Sequence, residues 1–345
     1  MRVHSHFAAG LLIALCSTFG VDAAQAAPAD NLAFKPVMCV FDVVGQNGPA
    51  FAFAKDYALT ARKWGADIKL EAYTDERLAA EDFKTGKCDG MAVTALRARA
   101  FNKFVGSIDA IGAVPSYKHL KAIIDLLATP QSAKYMHSGE YEVAGIIPLG
   151  AAYVFVNDKS IDSVEKAAGK KIAVLDYDKS QARIVQQLGA QPVSSEIINF
   201  GTKFNNGQVD IINAPAVAYQ PLELYKGLGK KGGIYRFPLV QLTADLVIRT
   251  DKFPPGFGQK CREFTASKFD TAVATVDKSE ASIPVRYWLD IPPQDKDKYD
   301  VMMRQARIQL TQEGFYDPKM MSILKKIRCR LNPSLGECAS TEESQ

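Results

Sequence analysis

The stretch 169–212 constrains the fold more than any other part of the chain. It reads GKKIAVLDYDKSQARIVQQLGAQPVSSEIINFGTKFNNGQVDII. Ile172, Val174 and Leu175 make a short apolar run, the mark of a strand buried in a parallel sheet. Asp178 or Ser180 supplies an N-cap for a helix through Leu188, and Gly189 ends it. Pro192 and Val193 open the next extended piece, a short amphipathic turn follows, and Gly207 leads into a strand at 209–212. This β-α-β-α-β order requires a parallel sheet, whose ligands sit beyond the carboxyl ends of the strands. The loops 176–180 and 213–216 are therefore predicted to face a binding cleft.

An earlier segment repeats the plan. Residues 37–44 read as a central strand, and GQNGP (45–49) turns into a helix carrying Phe53, Tyr57, Ala61 and Trp64 on one face up to Gly65. A strand at 67–73, a helix from Asp75 through Phe83, and GKCDG leading into a strand at 91–94 complete it. Two small sheets of like construction imply two lobes, each a mainly parallel sheet flanked by helices, with a cleft between them. The expected organisation is 27–150 plus about 240–285 for lobe 1, and 151–239 plus about 286–330 for lobe 2 with the C-terminal helices. A cysteine-bracketed tail follows at 331–345.

The connecting segments are read more coarsely. Residues 96–104 suggest one helix bearing Arg97, Arg99 and Lys103, whose simplest reading is a solvated charged face. Interruptions at Gly145 and Pro148-Leu149-Gly150 divide 141–156 into one strand that ends and another that crosses between lobes. Helices are expected at 217–225, 257–276, 296–311 and 321–327, and separate strands at 234–237 and 239–249. Gly227 to Gly233 formally contains G-x-G-x-x-G, but a helix precedes it and a strand follows, the reverse of a dinucleotide site. Arg286-Tyr287-Trp288 would either cover the cleft or pack the surface.

Residue content sets the compartment. Arg2, an apolar run at 7–19 and Ala24-Gln25-Ala26 form a secretory signal at 1–26, with cleavage expected after Ala26 and the mature protein in the periplasm. The net charge of +4 has no clustered Lys/Arg behind it, which argues against nucleic acid. Of the cysteines beyond the signal, Cys329 and Cys338 bracket an easily closed Pro/Gly loop. Cys39 and Cys88 would be neighbours in a sheet of order 2-1-3, leaving Cys261 free; unpaired buried thiols are the alternative for Cys39 and Cys88.

Motifs of turnover are missing: there is no G-x-S-x-G, H-E-x-x-H, Walker loop, EF-hand or C-x-x-C, and only His119 and His137 lie beyond the signal. No catalytic residue, cofactor or metal is therefore expected. Binding is favoured, with Gln46, Asn47, Thr94, Arg97, Tyr177, Asp178, Ser180, Asn213 and Tyr219 as cleft candidates, because most follow strand ends and several donate or accept hydrogen bonds.

The segments IDSVEKAAGKKIAV, QQLGAQPV, the run from Phe200 to Asp210, and VIRTDKFPPGF together resemble the periplasmic solute-binding proteins of TRAP transporters (DctP-like), and among them the AdeT-like branch. The resemblance covers most of 36–330. It implies a two-lobed periplasmic-binding-protein-like α/β fold, two strands crossing the hinge, and a soluble monomer that delivers a small-molecule ligand to membrane transporter subunits. One departure stands out. The strand after the paired lysines usually carries an arginine for the ligand's carboxylate, and here that place holds Ala173. Either Arg97, Arg99 or Arg183 substitutes, or the ligand is not a simple organic acid; the second is preferred. Ala173 and the tail also motivate an alternative, an accessory or adaptor protein of an envelope efflux complex.

Overall fold

The computed structural model describes Met1 and residues 32–344. The expected signal at 1–26, Met1 apart, lies outside the described residues. Strands β1 (Val37–Phe41), β2 (Lys69–Tyr73) and β3 (Gly90–Thr94) pair in parallel in the order β2-β1-β3. Met38, Cys39 and Val40 are fully buried, as the uninterrupted apolar run demands of a strand covered on both faces. The Pro49–Ala61 helix and the Glu76–Lys84 helix link them, the first opening on proline and the second capped by Asp75, whose carboxylate accepts from the Arg77 and Leu78 amides.

The second half uses the same device. A two-residue strand β4 (His137–Ser138) precedes β5 (Tyr141–Val156); β6 (Lys171–Leu175), β7 (Gln191–Ser195) and β8 (Ile211–Pro215) follow. Strand β6 is parallel to both β7 and β8. Asp178 caps the Lys179–Gln187 helix by accepting from the Ser180 amide, and Gly189 takes φ +70° just beyond its end. The β-α-β-α-β reading of both halves is thus realised.

Strands β5 and β9 (Gly233–Arg249) join the halves. The hydrogen-bonded path runs β2-β1-β3-β9-β5-β8-β6-β7, with β10 (Trp288–Leu289) added on β9. One end of β9 pairs with β3, and the far end of β5 pairs with β8. Each crossing strand therefore belongs to both lobes. The sequence suggested two segments in each place. Pro148 and Gly150 only shift the register of β5, because extended backbone can absorb a bulge without ending. In β9 the pairing jumps from Val240 to Tyr235; Pro238 lies inside that gap, where an absent N–H breaks the ladder but not the strand. Gly150 adopts φ +100°, and a Cβ there would lie 2.5 Å from Val276, so only glycine lets the Phe269–Ser282 helix sit this close.

Three further expectations are corrected. Residues 96–104 form two short helices, Ala95–Ala98 and Lys103–Gly106, because Asn102 caps the second by accepting from the Val105 amide. The region 217–225 is a 3-10 turn (Ala216–Ala218) followed by irregular backbone, since Pro221 lacks an amide to continue a helix and Glu223 adopts φ 51°. The single helix expected at 257–276 is two, Phe257–Ser267 and Phe269–Ser282.

The C-terminal Pro318–Leu331 helix was expected with the second lobe. Instead Met320, Met321 and Leu324 share a core with Phe83, Met91 and Val93 of the first. Arg307 and Arg328, each 2% exposed, pair with Glu337 and Glu343 and so hold the tail against this helix and the preceding Pro293–Gln312 helix. Disulfides join Cys39 to Cys88 and Cys329 to Cys338, with Cα separations of 5.9 and 5.6 Å. Cys261 is free and buried, its thiol 2.7 Å from the Tyr57 hydroxyl.

Candidate functional site

A cavity of ≈ 530 Å³ lies between the lobes, within the size range of small-molecule sites. The carboxyl ends of β1 and β3 bring Phe41, Asp42 and Thr94; that of β6 brings Leu175, and the middle of β8 brings Asn213; the crossing strands bring Ile147, Leu149 and Leu242. Parallel topology dictates this, since strand ends open onto loops on one side of each sheet.

The predicted site residues divide sharply. Thr94, Asp178, Ser180 and Asn213 line the cavity. Gln46 and Asn47 do not; they are exposed on a 3-10 turn, because Asp42 turns the chain there instead, accepting from the amides of Val44 (2.9 Å), Ala50 (2.8 Å) and Phe51 (3.2 Å). Tyr219 is 2% exposed in the core of the second lobe, folded under by the 3-10 turn after β8. Arg286 to Trp288 pack that lobe too: the Tyr287 hydroxyl donates to the Gly229 carbonyl and Trp288 meets Tyr153 edge to face.

Arg97 and Tyr177 form a clamp between the lobes rather than cavity wall. The Arg97 guanidinium stacks 3.5 Å from the Tyr177 ring centroid and donates to Glu76 (3.3 Å) and Glu196 (2.6 Å). Tyr177 donates to Glu76 at 3.0 Å, and the Thr94 amide reaches the other Glu76 oxygen at 2.7 Å. Beside them Arg99 pairs with Asp178 at 3.2 Å and donates to the Gly106 carbonyl. The solvated-face reading of Arg97 and Arg99 is overturned, because each finds a carboxylate across the cleft. Burial pushes the Glu76 carboxyl upward against the Thr94 and Arg97 contacts, and pushes Glu196 up against Arg97. Arg183 faces outward and pairs with Glu313 at 3.1 Å.

Sequence reasoning missed a buried polar row behind the cavity. Asp109, 2% exposed, accepts from the Thr243 amide (3.0 Å) and hydroxyl (2.8 Å), and burial raises it to about 7. Two residues on, Asp245 is 1% exposed with neither oxygen hydrogen-bonded, and burial, then repulsion from Asp109, raises it well above the carboxylate range. The alternation of Gln241, Thr243 and Asp245 with Leu242, Ala244 and Leu246 was a readable signal for one polar and one apolar strand face.

No group of three or more His, Cys, Asp or Glu suited to a metal occurs among the described residues, nor any helix long and apolar enough to cross a membrane. Ser180 donates its hydroxyl to Asp178 at 2.5 Å, while His119 contacts Ser116 and His137 faces Glu142.

Residues 58–343 match the family described as Solute-binding protein AdeT 1/2. The chain is 54% identical to a protein of Acinetobacter baumannii described as "Probable solute-binding protein AdeT1", over 88% of its own length and 100% of that protein's. It is 30% identical to AdeT2 of the same organism, over 68% and 98% of the two lengths. In fold it is similar to a TRAP periplasmic solute-binding protein from Desulfovibrio desulfuricans with bound sn-glycerol-3-phosphate (TM-score 0.70, 11% identity, covering 86% of this chain and 97% of that one). A second, from Xanthobacter autotrophicus with bound β-D-galacturonate, gives TM-score 0.67 at 15% identity over 85% and 99%.

Proposed function

The chain belongs to the AdeT solute-binding protein family, and on that premise we propose that it is a periplasmic receptor that captures a small molecule between its lobes and hands it, chemically unchanged, to a membrane transporter. The observation that carries this reading is the interlobal cavity at the strand ends, spanned by two crossing strands. Two crossing strands form a hinge, and a ligand touching both lobes draws them together to the extent that it binds the closed arrangement better. Thr94 from the first lobe and Asn213 from the second are proposed as ligand contacts, Asp178 and Ser180 as the wall between them. We keep the lobe division expected from the sequence as a proposal, with the Pro318–Leu331 helix moved to the first lobe.

The reading is tested by thermal unfolding of the protein, secreted and processed in its host, against a broad set of small molecules. A ligand at about 100 times its Kd should add about 2.7 kcal/mol of stability. Asn213→Ala should weaken that ligand without lowering the melting temperature of the free protein. No stabilisation by any compound, with no molecule co-purifying in native mass spectrometry, would refute a receptor role. The envelope-adaptor alternative finds no support in the family or its structural neighbours.

A further inference from the structure

We propose that the captured molecule is neutral and mainly apolar, with one or two polar atoms. The proposal rests on the receptor reading and names the ligand class of the same cavity.

The wall decides the class. Residues such as Phe53, Ile147, Leu149, Val174, Phe200 and Leu242 enclose most of it, and Ala173 presents only a methyl group. Among the described residues that line the cavity there is no Lys, Arg or His. The three arginines named as candidates for an acidic ligand are committed elsewhere: Arg97 to Glu76 and Glu196, Arg99 to Asp178, Arg183 to Glu313. An anion entering this space would lose its hydration and meet no counter-charge, a penalty far larger than apolar contact can offset.

A cation fares no better. Four carboxyl groups reach the wall, and the protein's own donors occupy each. Asp42 takes three backbone amides, and Asp109 takes the Thr243 amide and hydroxyl. Asp178 takes Arg99, Ser180 and Gln181, while Asp162 lies exposed and paired with Lys166 at 2.9 Å.

Among the described lining residues few polar groups are left to face a ligand. The Asn213 carboxamide makes no hydrogen bond within the described residues. The Thr94 hydroxyl accepts from the Arg97 amide at 3.3 Å and is also bonded to Glu76, so it is committed within the first lobe. A molecule with a polar atom for Asn213 and a hydrocarbon body for the apolar wall fits this arrangement. Charged solutes are rejected through the desolvation they would suffer.

The test titrates the full-length secreted protein with the neutral dye N-phenyl-1-naphthylamine, and separately with galacturonate, orotate and glycerol 3-phosphate, by fluorescence and calorimetry. The expected result is saturable one-to-one dye binding and no heat from the acids. Leu149→Gln on β5 and, independently, Leu175→Gln on β6 should each weaken the dye by about tenfold or more, since a buried amide would then lack a partner; melting curves show which variant folds. One-to-one binding of an acid without dye binding would overturn the ligand class and leave the receptor reading intact. Dye binding unchanged in a folded variant would also overturn it, because the dye would then sit elsewhere. No binding by dye or acid, with nothing co-purifying, would remove the receptor reading itself.

Discussion

Replacing Asp109 by asparagine should stabilise the protein above neutral pH. The side chain is 2% exposed, and burial lifts its ionisation from the ordinary 3.8 to about 7, against the pull of the two Thr243 hydrogen bonds and of Arg99. Between those values the folded protein holds a proton that the unfolded chain has released. The stability this group supplies is therefore full below about pH 4 and is lost as pH rises to about 7. Each pH unit of that interval is worth about 1.4 kcal/mol, so the loss is on the order of 4 kcal/mol. Asparagine keeps the geometry: its carbonyl oxygen still accepts from the Thr243 amide, and its nitrogen donates to the Thr243 hydroxyl. Asp109→Asn should match the wild type near pH 4 and exceed it by up to about 4 kcal/mol at pH 8. Urea unfolding followed by far-ultraviolet circular dichroism from pH 4 to 8.5 measures this directly. Parallel stability curves for the two proteins would refute the argument, because they would mean that Asp109 ionises alike in the folded and unfolded chains.

Arg97→Ala strands Glu76, itself 2% exposed, and should cost about 3–5 kcal/mol in urea unfolding. Arg97→Lys should recover part of that, since it restores charge but not the stack on Tyr177. Asp75→Ala removes two amide contacts from the Glu76–Lys84 helix and should cost about 1 kcal/mol by the same assay. The Cys39–Cys88 bridge spans 49 residues and the Cys329–Cys338 bridge 9, so by loop entropy the alanine pairs should cost about 4 and about 2.5 kcal/mol respectively, an order that melting temperatures check. Glu337→Gln with Glu343→Gln strips the carboxylates from two buried arginines while keeping the Cys329–Cys338 bridge, and should cost more than about 3 kcal/mol, seen as a lowered melting temperature.

The fold was legible where local chemistry and long-range order agree. Asp75, Asp178, Gly65 and Gly189 mark helix ends through caps and left-handed backbone, and the observed elements stop there. The continuity of β5 and β9 was not legible, because Pro148, Gly150 and Pro238 carry the local signature of a stop. Only pairing with a strand distant in sequence decides whether the chain turns or bulges. The site followed the same division. Of the residues that the strand-end rule singled out, Thr94, Asp178, Ser180 and Asn213 line the cavity, but the rule could not tell a residue facing it from one beside it, which is how Gln46, Asn47 and Tyr219 were included.

The cations show why side-chain chemistry alone misleads. An arginine near a strand end reads equally as a ligand anchor or as a wet surface group, and Arg97 is neither. Its role is set by Glu76 and Glu196, the latter 99 residues further along the chain and on the opposite lobe. A lone buried guanidinium would demand an acidic guest; one already satisfied by two carboxylates demands none. Ala173 and this clamp are therefore two halves of one change. Among the described residues the cavity wall has no Lys, Arg or His, and Arg97 and Arg99 are paired with carboxylates across the cleft. If the pairing is what withholds Arg97 from ligands, Glu76→Gln with Glu196→Gln should free it and create affinity for galacturonate that the wild-type protein lacks. Binding of galacturonate by the wild-type protein, unchanged in that double variant, would break the link between the two.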